Sequence, residues 1–198
     1  IDARDLDATT RLVSLYEASQ RWNGLPELYG VLIDAAAGAT ERAGLLLALA
    51  AVHADHLGDP PAGAIAAGRA FQAEPTHPGA IETFERLSVL AGETTGFTQL
   101  VDDVARASDD PSLTADLLLA KARVLARDPA RQDEAAGAYR ALLAEDAPDE
   151  ARREEARLGF ERMLERAEPT PARRADRRWL LQWVAEHTAG APRIEALL

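Results

Sequence analysis

Ala43-Gly44-Leu45-Leu46-Leu47-Ala48-Leu49-Ala50-Ala51-Val52-His53-Ala54-Asp55-His56-Leu57-Gly58-Asp59-Pro60-Pro61 reads as one amphipathic helix followed by its stop. Ala43, Leu46, Leu47, Ala50, Ala51, Ala54 and Leu57 recur at i, i+3 and i+4, which gathers them on one face of a 3.6-residue helix and marks that face for burial. Gly58-Asp59-Pro60-Pro61 ends the pattern, and a second helical stripe runs through Ile65, Ala66, Arg69, Ala70 and Ala73. Pro75 and Pro78 close that stripe, because proline disfavours helix at the residue before it and has no N–H to donate. Two helices joined by a short break form a helix hairpin. Within the second, Gly63-Ala64-Ile65-Ala66-Ala67-Gly68 lacks the Lys-Ser/Thr of a phosphate loop and reads as a site of close helix packing.

The alternation of periodic segment and Gly/Pro/Asp break continues in both directions. It predicts helices at about 7–19, 24–38, 40–57, 61–74, 78–91, 96–108, 112–127, 131–145, 149–167 and 171–188, which make five hairpins, and no segment reads as a strand. An internal repeat accompanies it. Leu12-Val13-Ser14-Leu15 with Trp22 and Leu25 recurs as Leu87-Ser88-Val89-Leu90 with Phe97 and Leu100. Leu45-Leu46-Leu47-Ala48 with Gly58-Asp59-Pro60 recurs as Leu117-Leu118-Leu119-Ala120 with Arg127-Asp128-Pro129. Offsets of roughly 70–75 residues are about two units of a 34-residue helix-turn-helix period, which argues for repeats over an arbitrary bundle.

Residues 44–77 resemble a tetratricopeptide repeat through Leu47 and Ala51, then Leu57-Gly58-Asp59, then Gly63, Ala67 and Ala70, and finally Pro75. Ala135, Tyr139 and Leu142 fit the second helix of a looser copy around 118–147, and 12–38 and 87–108 fit degenerate ones. The resemblance implies an all-α fold, a right-handed α-solenoid of about five antiparallel helix hairpins, forming one array over 1–198 with repeats at 8–147 and capping helices at 148–198. It further implies a groove lined by the first helices of the hairpins, with Ser14, Glu17, Leu49, His53, Arg86, Lys121 and Arg123 as candidate contacts for a partner protein or peptide. Ala51 and Ala70 are expected where paired helices cross.

Composition agrees with stacked helices and narrows the function. Alanine supplies roughly a fifth of the chain and aromatics only 5 %, so helix backbones must approach closely. A net charge of −11 repels phosphate backbones, which argues against nucleic acid as a partner. Residues 1–99 carry 6 basic and 13 acidic groups and residues 100–198 carry 16 and 20, so the cations sit late. With no cysteine there is no disulfide or thiolate site, and cytoplasm and periplasm both fit. No apolar run reaches the length of a membrane span and Ile1-Asp2-Ala3-Arg4-Asp5 does not resemble a signal peptide. The chain does not begin with Met, which points to a processed chain or an excised fragment of a larger assembly.

The titratable residues assemble no recognisable catalytic or metal-binding motif. His53 and His56 stand at i, i+3 with Asp59 beyond, but no Cys or Glu completes a metal-ligand spacing. His77 reads as a loop residue and His187 as a helix end. Asp102-Asp103 and Asp109-Asp110, with Asp116 nearby, read as solvated residues and caps, since adjacent helix positions do not converge. No serine-hydrolase elbow and no HExxH occur. The expectation is a non-catalytic interaction scaffold without cofactor, with a structural spacer and a regulatory or catalytic domain holding a groove pocket as the alternatives.

The cluster Arg173, Arg174, Arg177 and Arg178 follows Thr170-Pro171, a helix start, where the macrodipole disfavours cations. Two sources of compensation stand: acids of the preceding helix (Glu154, Glu155, Glu161, Glu165, Glu168) or an acidic partner protein docking on the cluster. Trp179, Leu180, Trp183, Val184 and His187 form a stripe expected to pack on Phe160, Met163, Leu164 and Ala167 and to cap the array.

Overall fold

A computed structural model describes residues 3–144 and 150–187. The described residues form ten α-helices and no strand. They are α1 (Ala3–Ala18), α2 (Leu25–Ala35), α3 (Ala39–Ala51), α4 (Pro60–Ala73), α5 (Ala80–Ala91), α6 (Thr94–Ala107), α7 (Pro111–Leu125), α8 (Gln132–Ala144), α9 (Glu150–Arg166) and α10 (Pro171–His187). Each falls where the periodicity predicts one, with ends shifted by a few residues.

The starts of α4, α7 and α10 share one device. Asp59 accepts from the Ala62 N–H at 3.0 Å ahead of Pro60, and Asp110 accepts from the Ser112 N–H at 2.8 Å ahead of Pro111. Thr170 Oγ1 accepts from the Arg173 N–H at 3.2 Å ahead of Pro171. In each case a side-chain oxygen satisfies an orphan donor, and the proline behind it occupies a position whose missing N–H is not needed. Asp128 does the same for the short 3-10 turn Pro129–Arg131 before α8.

The chain divides into two compact units, Ile1–Ser108 and Asp109–Leu198. In the first, every helix from α1 to α6 packs on its neighbour in sequence, and α3 also meets α5 and α4 meets α6. The closest approach joins α3 to α4 at Gly63. A Cβ there would stand 3.0 Å from the Ala50 carbonyl oxygen and 3.3 Å from both Ala54 Cβ and Leu87 Cδ1. Gly68 is equally committed, since a Cβ would lie 2.9 Å from the Phe84 ring. The small-residue run thus serves close packing.

The crossing corrects one register. Ala51 is only partly buried, whereas Ala43, Leu46, Leu49 and Ala50 are buried, because α3 touches α2, α4 and α5 and its covered arc is set by all three. Beyond Ala51 the helix continues as a π-helical turn, Val52–His56, in which the Leu57 N–H donates five residues back to the Val52 carbonyl. Ala70 is fully buried. Ala70→Leu is therefore expected to cost about 1–3 kcal/mol by overpacking, and Ala51→Leu to stay within about 0.5 kcal/mol. Urea unfolding of the two variants checks this, and equal losses would restore the expected register.

In the second unit α7 packs on α8, α8 on α9 and α9 on α10, with α9 also reaching α7. Its core joins Leu119, Leu125, Tyr139, Leu142, Phe160, Met163, Leu164, Leu180 and Trp183, with Trp179 and Val184 against it. Most of the expected stripe of α10 is covered: Leu180 and Trp183 are buried, and Trp179 and Val184 are partly buried against the core, with the Trp179 ring 6.2 Å from Phe160 of α9. Trp183 donates its indole N–H to the Leu143 carbonyl of α8 at 2.9 Å, whereas His187, expected in the same stripe, is exposed. The tryptophans are core residues.

Candidate functional site

The first unit carries a trough of about 430 Å³ on the side where α4, α5 and α6 meet. One face of α4 supplies a wall through Pro61, Ala64, Ile65, Gly68, Arg69 and Gln72, the helical spacing that puts alternate turns on one side. Phe84 and Ser88 of α5 lie between, and Gly96, Phe97 and Leu100 of α6 close the far side, with Glu93 at its start. A hydrogen-bonded turn sets the angle between α5 and α6. Gly92 adopts a left-handed φ of 76°, the Glu93 N–H donates to the Ser88 carbonyl at 2.8 Å and the Gly92 N–H to the Val89 carbonyl. This is a Schellman close, which needs a residue tolerant of positive φ.

Three aromatic rings hold these helices together. Phe71, Phe84 and Phe97 follow one another with centroids 5.9 and 4.9 Å apart, one from each helix. Phe84, 6 % exposed, reaches the floor of the trough with Phe97 fully buried beneath it. On the wall above, Ile65 is 67 % exposed, among the largest exposures of an aliphatic side chain in the described residues.

Two features of the lining are not explained by folding. Ser88 is fully buried, and its hydroxyl oxygen has no hydrogen-bond partner. Such a group costs about 1–3 kcal/mol relative to a satisfied or absent one. Gly96 sits in the first turn of α6 and a Cβ there would meet nothing within 4 Å, so neither packing nor backbone conformation requires glycine. Glycine lowers helix stability by roughly 0.5–1 kcal/mol against alanine, and what it leaves here is open trough. Ser88→Ala is expected to raise stability by about 1–2 kcal/mol, read as a higher urea midpoint with unchanged slope. A lower midpoint would mean that the hydroxyl already has a partner.

In the second unit a buried ionic cluster fixes α10 on α8. Arg173 is only 5 % exposed and donates to Asp176 Oδ2 at 2.7 Å and to the Gln132 carbonyl at 3.2 Å, and it pairs with Asp133. Asp176, equally buried, also accepts from Arg140, whose guanidinium carbon stands 5.3 Å over the Trp179 ring. Arg177 donates to the Leu164 carbonyl, while Arg174 and Arg178 stay exposed. A cleft of about 490 Å³ opens beside Arg173, between the start of α8 and the α9–α10 link.

The expected site residues are therefore scattered. His53 lies in the π-helical turn with a buried Nδ1 that lacks a partner, and Arg86 is exposed, 3.9 Å from Asp55. His56 stacks on Trp22 at 3.5 Å. Lys121 and Arg123 belong to the second unit, where Arg123 donates to Glu155 at 2.8 Å. Glu17 accepts from the Tyr29 hydroxyl at 2.9 Å, and burial, with Glu17 adding to it, pushes that phenol up to about 12. Leu49 is 9 % exposed and lines no groove, because it joins the covered arc of α3. None of the eleven residues singled out for partner contact lines the α4–α6 trough.

The source of compensation for the arginine cluster is also corrected. Arg173 is held by Asp133, Asp176 and a main-chain carbonyl, not by the glutamates of α9. Three of those glutamates are engaged elsewhere: Arg157 bridges Glu154 and Glu161, holding the Glu154 carboxyl below the usual range, and Glu155 takes Arg123. Arg173 precedes Trp183 by ten residues, close to three helical turns, so it shares the buried face. The acidic pairs resolve as read: Asp110 caps α7, Asp103 pairs with Arg106, and Asp116 takes Arg152 through both oxygens.

Among the described residues no group of three His, Cys, Asp or Glu side chains is placed to hold a metal ion, and no helix is long and apolar enough to cross a membrane. No protein-family model, curated protein or solved structure matches the chain.

Proposed function

We propose that this chain is a non-catalytic helical-repeat module that binds another protein, and that the first unit receives a segment of that partner in the α4–α6 trough. In this reading each unit is a stack of antiparallel helix hairpins of the tetratricopeptide kind. Such hairpins cannot bury their apolar faces alone and bury them against one another. The observation that carries the functional part is the lining itself: an apolar trough with an exposed Ile65, a buried hydroxyl without a partner and a glycine that neither packing nor conformation requires. The exposed Ile65 is unfavourable in the free protein and is covered when the trough is filled, and Gly96 leaves the room for an occupant to do so.

This places partner contact on second helices of the hairpins, with α5 between them, and not on the first-helix residues that the family resemblance implies. The titratable side chains on the lining are Arg69 and Glu93, at its edge, which leaves a surface for recognition without a converging acid–base pair. The test is selection of binding segments from a displayed random-peptide library on the immobilised chain, counter-selected on Gly96→Leu. That variant puts bulk into the trough from a position where a Cβ meets nothing within 4 Å. Segments that bind the wild type and not the variant, with the variant at least as thermally stable as the wild type, support the reading, and a pool indifferent to the variant overturns it.

A further inference from the structure

We propose that the segment seated in the α4–α6 trough is a basic amphipathic helix that presents apolar anchors at i, i+3 or i+4, and i+7. The inference rests on the trough being the docking face proposed above, and adds the chemistry and conformation of its occupant. Length and backbone chemistry argue for a helix. The α4 wall runs from Pro61 to Gln72, about 16 Å at 1.5 Å per residue, and anchors from i to i+7 of an incoming helix span about 10 Å. An extended segment loses water from its own N–H and C=O groups on entering, and the lining offers it few replacements, since it is mostly Ala, Gly, Pro, Ile, Leu and Phe. No sheet edge exists among the described residues to pair with it. A helix arrives with those groups already satisfied.

Charge selects the polar face of that helix. Residues 1–108 carry seven arginines and fifteen carboxylates, a net charge of −8, and the α4–α6 span, 60–107, carries three against six. A segment whose outer face is Lys- or Arg-rich is drawn toward this unit, whereas an acidic one is repelled. The trough lining itself adds one charge of each sign, Arg69 and Glu93, so the preference comes from the surrounding unit and is sensitive to salt.

The experiment is sequencing of the trough-dependent pool from a library of random segments about 16 residues long, followed by fluorescence anisotropy of one synthetic consensus peptide. The expected pool is net basic, depleted in proline, and apolar at i, i+3 or i+4, and i+7. The consensus peptide is expected to lose about tenfold in affinity between roughly 0.05 and 0.5 M salt, and at least about tenfold against Gly96→Leu. It is expected to gain helical circular dichroism on binding. A trough-dependent pool that is neutral or acidic, or that tolerates proline throughout, overturns this inference and leaves the docking face standing. A pool with no trough dependence overturns both.

Discussion

Asp176→Ala is expected to destabilise the second unit by about 3–5 kcal/mol, the cost of breaking a buried ion pair from one side. Asp176 is the acid that two guanidiniums share, Arg173 from its own helix and Arg140 from α8. Removing it leaves Arg173 buried and facing a single carboxylate, Asp133, whose side chain is 85 % exposed and screened by water. Arg140 would keep its place over Trp179 but lose its anion. Replacing the cluster as a whole is expected to behave differently. Arg140→Met, Arg173→Met and Asp176→Leu together remove every charge that needs a partner, and the triple variant is expected to recover most of the loss. Urea unfolding followed by tryptophan emission reads this directly, because Trp179 and Trp183 lie in the same core. A loss under about 1 kcal/mol for the single variant would show that the cluster behaves as an exposed one.

Phe84→Ala carries the second large effect, about 3–5 kcal/mol for the first unit. The ring is 6 % exposed, sits between Phe71 and Phe97, and fills the space that Gly68 leaves on α4. Truncation removes two ring contacts and opens a void that helices pinned at Gly63 and at the Gly92 turn cannot collapse. Gly68→Ala in the Phe84→Ala background is expected to return part of the loss, since the methyl enters vacated space and improves helix propensity. Additive losses in the double variant would contradict the proposed contact.

Helix positions were legible because their signals are local. Asp59-Pro60, Asp110-Pro111 and Thr170-Pro171 announce a cap and a first turn within two residues, and the structure uses each as such. The packing role of Gly63 and Gly68 was legible for the same reason. The trough was not, because it depends on which side of a shared ring stack remains uncovered, and Phe84 and Phe97 carry the same signature as any core residue. Trp22 and Phe97 align in the internal repeat, yet Phe97 is fully buried and Trp22 is partly exposed against His56. The acids that hold Arg173 were not legible, because Asp176, three residues on, works beside Arg140 and Asp133 from another helix.

Packing between helices consecutive in the chain, which runs through α1–α6 and again through α7–α10, bears on how fast each unit forms. Bringing together two helices separated by a few residues closes only a short loop, so the entropy lost before the first apolar contact is small. Folding can then begin at any neighbouring pair and spread to the next, without waiting for distant parts of the chain to meet. Contacts between neighbours in the chain favour faster folding than pairings between distant segments do. The strong α3–α4–α5 association, tied by Gly63 and the phenylalanine rings, is the natural place for that process to start in the first unit.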